Sequence, residues 1–238
     1  MSDFCTLFEQ IFSECGLSEY IHLAKSFERL GELLKSTNDK YNLTAITDDE
    51  GIIRRHFADS LMAAKHIPSG ASVIDVGTGG GFPALPLAIA RDDIRVTALD
   101  STAKKLDFIK YAAKELSLEN RTTLYARAEE AGARGAEHRE RYDVAVSRAV
   151  ARLNILSELC MPLVKVGGLF VALKGADGEA ELSEAIGGIA RLGGMIEDKE
   201  SFELPLAGAR VIISIRKERA TDGAYPRAFA KIKKSPIK

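Results

Sequence analysis

Residues 73–87 read VIDVGTGGGFPALPL, and no other stretch limits the fold as tightly. An apolar run long enough for one short strand ends around Asp75. Glycines follow at 77, 79 and 81, and then an apolar segment with proline near its start, as in the first turn of a helix. Glycine lets the chain leave a strand sharply and keeps any Cβ away from an approaching ligand. The alternation continues downstream. Strands are expected at ASVIDV, IRVTALD, TTLYARA, YDVAVSRA and GGLFVALKG, and helices at PALPLAIAR, AKKLDFIKYAAKEL, LNILSELCMPLVK and GEAELSEAIGGIARLGG. SFELPL and ARVIISIRK read as a terminal hairpin. Strands alternating with helices predict a doubly wound, Rossmann-like α/β sheet, mostly parallel, with an antiparallel terminal strand at the edge. In such a sheet the ligand lies beyond the carboxyl ends of the strands, at the switch in strand order.

The front of the chain has a different period. Phe4, Leu7, Phe8, Ile11 and Phe12, then Tyr20, Leu23, Phe27, Leu30, Leu33 and Leu34, recur at helical spacing. They predict helices over 3–14 and 18–37. A third helix is expected over 48–66, entered through the acidic turn Asp48–Asp49–Glu50. Pro68–Ser69–Gly70 breaks the pattern. The expected organisation is a helical cap (1–67), a cofactor-binding core (68–218) and a basic tail (219–238) packing near the substrate side.

The formal net charge of -1 hides an asymmetry. Residues 1–50 carry ten acids and four bases, whereas residues 205–238 carry nine bases and two acids. A basic tail on a near-neutral chain fits a polyanionic partner, and equally a solvated tail. The three cysteines (Cys5, Cys15, Cys160) form no CxxC pair. With no signal-like leader they read as reduced thiols in a cytoplasmic protein. No stretch approaches a membrane span, no His/Cys cluster points to a metal, and no heptad seam argues against a monomer.

The glycine turn has three candidate ligands besides none at all. A P-loop requires GxxxxGK[ST], and no lysine follows. A dinucleotide turn requires GxGxxG, whose third glycine would fall on Phe82. A pyrophosphate would also meet the negative charge of Asp75. S-adenosylmethionine presents an ammonium and a sulfonium with no phosphate, which suits Asp75. Asp100 ends the next strand, where a carboxylate accepts hydrogen bonds from ribose hydroxyls. Ala128–Glu129 follows the third strand, where an adenine edge would lie; a charged loop is the plainer reading. Ser147–Arg148 ends the fourth strand, beside a transferred methyl, although Arg148 also reads as a structural partner for an acid such as Asp75.

The fourth strand lacks the [DN]-P-P-[YFW] of exocyclic-amine methylation, and Cys160 reads as core rather than nucleophile. Neither a covalent catalyst nor a strong base stands out. A ring nitrogen with a free lone pair, such as guanine N7, would need orientation and electrostatics more than acid–base chemistry. The tail YPRAFAKIKKSPIK interleaves five bases with two aromatics, a pattern suited to single-stranded RNA, and equally to a solubilising tail with Tyr225 and Phe229 packed on the core.

Several motifs together resemble the glucose-inhibited division protein B family, the 16S ribosomal RNA guanine-N7 methyltransferases. They are NLTAI at 42–46, HFADSL at 56–61, DVGTGGGFPALPL at 75–87, RAE at 127–129, SRAVA at 147–151, Lys174–Gly175 and YPR at 225–227. The resemblance implies S-adenosylmethionine contacts at Gly77, Phe82, Ala128, Glu129 and Arg148, which join Asp75, Gly79 and Gly81 of the turn and the strand-end Asp100 read from the residues themselves. It implies a target guanosine in the decoding region of the small ribosomal subunit. Arg148 and Lys174 are the expected catalytic-side cations. Lys174, Tyr225, Arg227, Lys231, Lys233 and Lys234 are the expected RNA contacts. NLTAI and HFADSL read either as direct chemistry or as a polar cluster seating the cap over the cofactor loop. The chain departs from the family pattern at Ala84, Ala228, Ala230 and Ile232. Two rivals stay open: a methyltransferase for a small molecule, and a non-catalytic RNA-binding assembly protein with a retained cofactor pocket.

Overall fold

The structure is a computed structural model that describes residues 2–237; of the tail bases, Lys238 lies outside the described residues. Seven strands form one sheet: β1 (Ser72–Val76), β2 (Arg95–Asp100), β3 (Arg121–Tyr125), β4 (Tyr142–Arg148), β5 (Val164–Lys174), β6 (Gly194–Leu204) and β7 (Gly208–Lys217). Their order is β3-β2-β1-β4-β5-β7-β6. Strands β1 to β5 pair in parallel, and β7 runs antiparallel to both β5 and β6. The order reverses between β1 and β4, so the crevice opens beside Val76 and Arg148.

The antiparallel strand β7 is not at the rim as expected; it is inserted between β5 and β6. Its residues 211–215 are continuously buried, which requires neighbours on both sides, whereas β6 alternates towards solvent and tolerates an edge. Other boundaries also moved. The second expected helix begins as a 3-10 turn (Ser18–Leu23) before the α-helix Ala24–Tyr41. The third is split into Asp49–Gly51, a wide π-helical stretch Ile52–Ala58, and Asp59–Leu61. The helix over 153–165 ends at Cys160, where Met161-Pro162-Leu163 tightens into a 3-10 turn. The tail adds a short helix, Phe229–Lys234, with Ile232 buried.

Cap and sheet share one core. Phe8, Phe12, Phe27 and Phe57 are fully buried and contact one another in sequence: Phe8 stacks on Phe12 (3.7 Å between centroids) and on Phe27 (5.1 Å), and Phe27 meets Phe57 (5.0 Å). Phe57 then reaches Phe82, in the glycine turn, at 6.2 Å. The same cluster contains Val73, Val96 and Val144 of the sheet. Removing a buried phenylalanine costs about 3–5 kcal/mol. Phe27→Ala should therefore lower unfolding stability by about that amount in urea titration, and a loss below about 1 kcal/mol would mean the ring series is not a load shared by cap and sheet.

Candidate active site

The turn after β1 is built by backbone. The N–H groups of Gly77 and Thr78 both donate to Leu99 O, at 2.9 and 3.0 Å, so the turn is pinned to the end of β2. Gly77 has φ +75°, and a Cβ there would lie 2.6 Å from Val150 Cγ2. Glycine is required on both counts. Gly81 has φ +91° and packs against Leu85, while Gly79 has φ +57° and faces open space. The N–H of Gly79 donates to Asp100 Oδ2 at 3.0 Å, and Thr102 N–H donates to Oδ1 at 2.8 Å. Asp100 is thereby aimed across the turn with acceptor capacity remaining on both oxygens.

A cavity of about 180 Å³ opens at the carboxyl ends of β1, β2 and β3, and of the turn glycines Gly77 lines it while Gly79 and Gly81 do not. Gly77, Asp100, Ala128 and Glu129 all face it. Ala128 opens the helix Ala128–Ala131, so its N–H has no acceptor within that helix. Asp75 lies behind the turn rather than in this cavity. It is fully buried; Oδ2 accepts from Ala84 N–H at 3.1 Å, and Oδ1 and the Thr78 hydroxyl have no hydrogen-bond partner. Burial pushes its carboxyl up to about 7.

A second cavity, of about 340 Å³, opens on the other side of the loop that follows β4. Arg148, Lys174, Asp59 and Arg210 line it. Arg148 does not pair with Asp75, the partner considered from the sequence; it reaches the cap. Its Nη1 donates to Asp59 Oδ2 at 2.8 Å and to Arg55 O at 2.6 Å, and Arg210 Nε donates to Asp59 Oδ1 at 2.7 Å. The Arg148 guanidinium also lies over the Phe82 ring at 5.6 Å. Phe82 is buried and stacked on His56, 4.5 Å away and nearly parallel. It fills the seam between turn and cap and does not line the first cavity. Ser147 turns inward and donates to Val76 O at 2.9 Å, tying β4 to β1.

The His56 ring is assigned by its neighbours. An arginine only donates, so Nδ1, 3.3 Å from Arg148 Nη2, is the acceptor and Nε2 carries the proton towards Thr44 Oγ1 at 2.8 Å. Burial and the adjacent Arg148 cation pull His56 down to about 4, so it stays neutral. The loop carrying Thr44 is fixed by Asn38, whose Oδ1 accepts from Leu43 and Thr44 N–H. Leu43 packs on Gly80 of the turn. NLTAI, HFADSL, the glycine turn and SRAVA thus meet in one cluster.

Two expected RNA contacts are turned inward. Lys174 is 8% exposed; its Nζ donates to Ala151 O at 2.8 Å and pairs with Glu181 at 2.7 Å. Glu181 also accepts from Leu153 N–H, so the pair clamps the loop 149–152, in which Ala149 adopts φ +56°. Arg227 holds the fully buried Glu158 through two side-chain hydrogen bonds of 2.7 and 2.6 Å, and its own N–H adds a third. Tyr225 is half-buried, whereas Lys231, Lys233 and Lys234 are exposed. The sequence reading missed Asp59 as the partner of Arg148, and it missed Arg210, Glu158 and Glu181. HFADSL flagged the first; nothing local marks the others, because their partners are remote in sequence. Among the described residues no group of three metal-binding side chains occurs and no helix is long and apolar enough to cross a membrane.

Comparison with known proteins decides the family. The family described as GidB, rRNA small subunit methyltransferase G, matches residues 23–194. The chain belongs to it. The ribosomal RNA small subunit methyltransferase G of Halalkalibacterium halodurans is 44% identical over 235 residues, covering 98% of each chain. That of Deinococcus radiodurans is 46% identical over 206 residues, covering 85% of this chain and 81% of the other. Among solved structures, the fold matches precorrin-6y C5,15-methyltransferase from Geobacter metallireducens (TM-score 0.52, 16% identity, 78% of this chain and 98% of that one). It also matches M. jannaschii TYW2 in complex with AdoMet (TM-score 0.52, 16% identity, 67% and 76%). These likenesses are of the fold alone.

The two shifted groups oppose each other in pH. Below its ordinary 6.5 the unfolded chain protonates His56, while the folded chain resists until about 4; stability falls on acidification through that window. Folded Asp75 keeps its proton to about 7 while the unfolded chain releases it near 3.8; stability falls as pH rises through that window. In urea unfolding at several pH values, Asp75→Asn should therefore gain on wild type as pH rises from about 4 to 7. His56→Gln should gain as pH falls from about 6.5 to 4. Parallel pH profiles for both variants and wild type would contradict the assignments.

Proposed function

We propose that the protein transfers a methyl group from S-adenosylmethionine to N7 of a guanine in the decoding region of 16S ribosomal RNA, acting as a monomer in the cytoplasm. The observation that carries the cofactor reading is the first cavity: a strand-end carboxylate and a free helix-opening N–H flank a glycine turn in which Gly77 adopts φ +75°. Bound there, the cofactor supplies an electrophilic methyl on a sulfonium. Asp100 suits its ribose hydroxyls, Ala128 and Glu129 its adenine edge, and Gly77 and Gly79 allow close approach. Asp75 acts through the turn: its Oδ2 accepts from Ala84 N–H and holds the loop.

The acceptor side fits a group that needs no base. His56 is neutral, but its Nδ1 is occupied by Arg148 and its Nε2–H faces Thr44. Lys174 is committed to Glu181 and Ala151. What remains is orientation and charge, which suffice for a nitrogen that attacks through a free lone pair. Arg148 holds the loop between the two cavities. Lys231, Lys233 and Lys234 form an exposed basic edge suited to phosphates. The division of the chain into cap (1–67), core (68–218) and tail (219–238) is part of this proposal. The name shared by the relatives favours ribosomal RNA over a small molecule as acceptor.

The test is tritiated methyl transfer from S-adenosylmethionine to unmodified small ribosomal subunits, followed by nucleoside analysis. Label should appear in 7-methylguanosine, and Arg148→Ala should reduce it by about tenfold or more. Label in another nucleoside would overturn the N7 reading. No label, with S-adenosylhomocysteine still raising the melting temperature, would overturn the RNA substrate.

A further inference from the structure

The first cavity has a wall that comes from the tail. Phe229, the first residue of the helix Phe229–Lys234, lines it together with Leu159 and Val150. Val150 is 42% exposed and Phe229 36% exposed. These two apolar side chains face the same space. That space also holds Asp100, Ala128 and Glu129, the groups suited to a ribose and an adenine edge.

Phe229 is not there by loose drift of a tail. Arg227, two residues earlier, is locked on the buried Glu158 and also donates to Ser235 O at 3.0 Å. Arg139 donates to Tyr225 O at 2.8 Å and to Thr221 O at 2.5 Å. Ile232 and Ile237 are buried, and the carbonyl of Ile237 lies close above Gly188. The tail is therefore fastened before and after Phe229, and the ring is presented at a fixed place. An aromatic ring held at the edge of a cavity that carries a ribose-type carboxylate suits a flat heteroaromatic base, which offers a face for stacking.

We infer that Phe229 stacks on the purine of the nucleoside cofactor, so that the basic tail completes the cofactor site as well as carrying the exposed lysines. This rests on the cofactor reading above. It makes the two ligands interdependent. A tail displaced from Glu158 should lose cofactor affinity together with the fixed position of the helix that presents Lys231, Lys233 and Lys234.

The chain contains no tryptophan, so Phe229→Trp installs a single fluorophore at the proposed contact. Full-length Phe229→Trp should change its emission when titrated with S-adenosylhomocysteine, and with adenosine at higher concentration, but not with homocysteine. By calorimetry Phe229→Ala should bind S-adenosylhomocysteine about fivefold or more weakly than wild type, the range expected for loss of one base–aromatic stack. Phe229→Tyr should restore it. The residue is partly exposed, so the variants should keep the wild-type melting temperature without ligand. Wild-type affinity in Phe229→Ala, with unmoved emission in Phe229→Trp, would overturn this inference alone. Failure of the wild-type protein to bind S-adenosylhomocysteine would overturn the cofactor reading and this inference together.

Discussion

Arg148 reaches from the end of β4 to Asp59 on the cap across 2.8 Å, and the two side chains are only 13% and 10% exposed. Charges so removed from water cost several kcal/mol each unless they are paired and hydrogen-bonded. Here the compensation is close to complete: Asp59 takes Arg148 on one oxygen and Arg210 on the other, and Arg148 adds the Arg55 carbonyl and the His56 ring. A cap displaced by a few ångströms would leave three charges buried without partners. The pair thus fixes where the cap sits, and with it the His56–Phe82 stack and the Leu43 contact on the glycine turn. The second cavity inherits its shape from that junction, since Asp59, Arg148, Ala149 and Arg210 all line it.

The loop after β4 is held from a second direction. Lys174 and Glu181 grip it at Ala151 and Leu153, and the left-handed Ala149 lies between the two clamps. Backbone held in a sparsely populated region persists only where its surroundings over-determine it. The consequence is a firmly held partition between one cavity, lined by Gly77 and Asp100, and another, lined by Arg148 and Arg210. Lys174 is held on Ala151 and Glu181 beside that partition.

The sheet and its parallel order were legible because apolar runs and glycine turns are local signals. The place of β7 was legible in principle: five consecutive buried residues at 211–215 do not belong on an edge. The glycine turn and Asp100 were readable for the same local reason. The roles of Lys174 and Arg227 were not, because a cation written in a sequence does not disclose whether its acid lies seven residues away, as Glu181 does, or 69, as Glu158 does. Asp59 was visible inside HFADSL, but its two arginines come from positions 89 and 151 residues distant. Long-range ion pairs are decided by topology, and the fold had to be known first. The tail helix was hidden by a short basic stretch whose single buried contact, Ile232, carries no period.

The junction of cap and sheet is most directly tested by Asp59→Asn, which removes the charge while keeping the shape. Two quantities should be measured on the same preparation: the affinity for S-adenosylhomocysteine and the rate of methyl transfer to unmodified small ribosomal subunits. Asp59 does not line the first cavity, so the affinity should stay within about twofold, while transfer should fall by about tenfold or more as Arg148 and the loop lose their position. Transfer at the wild-type rate would contradict the account, because the site would then be assembled without the ion pair that is argued to hold it.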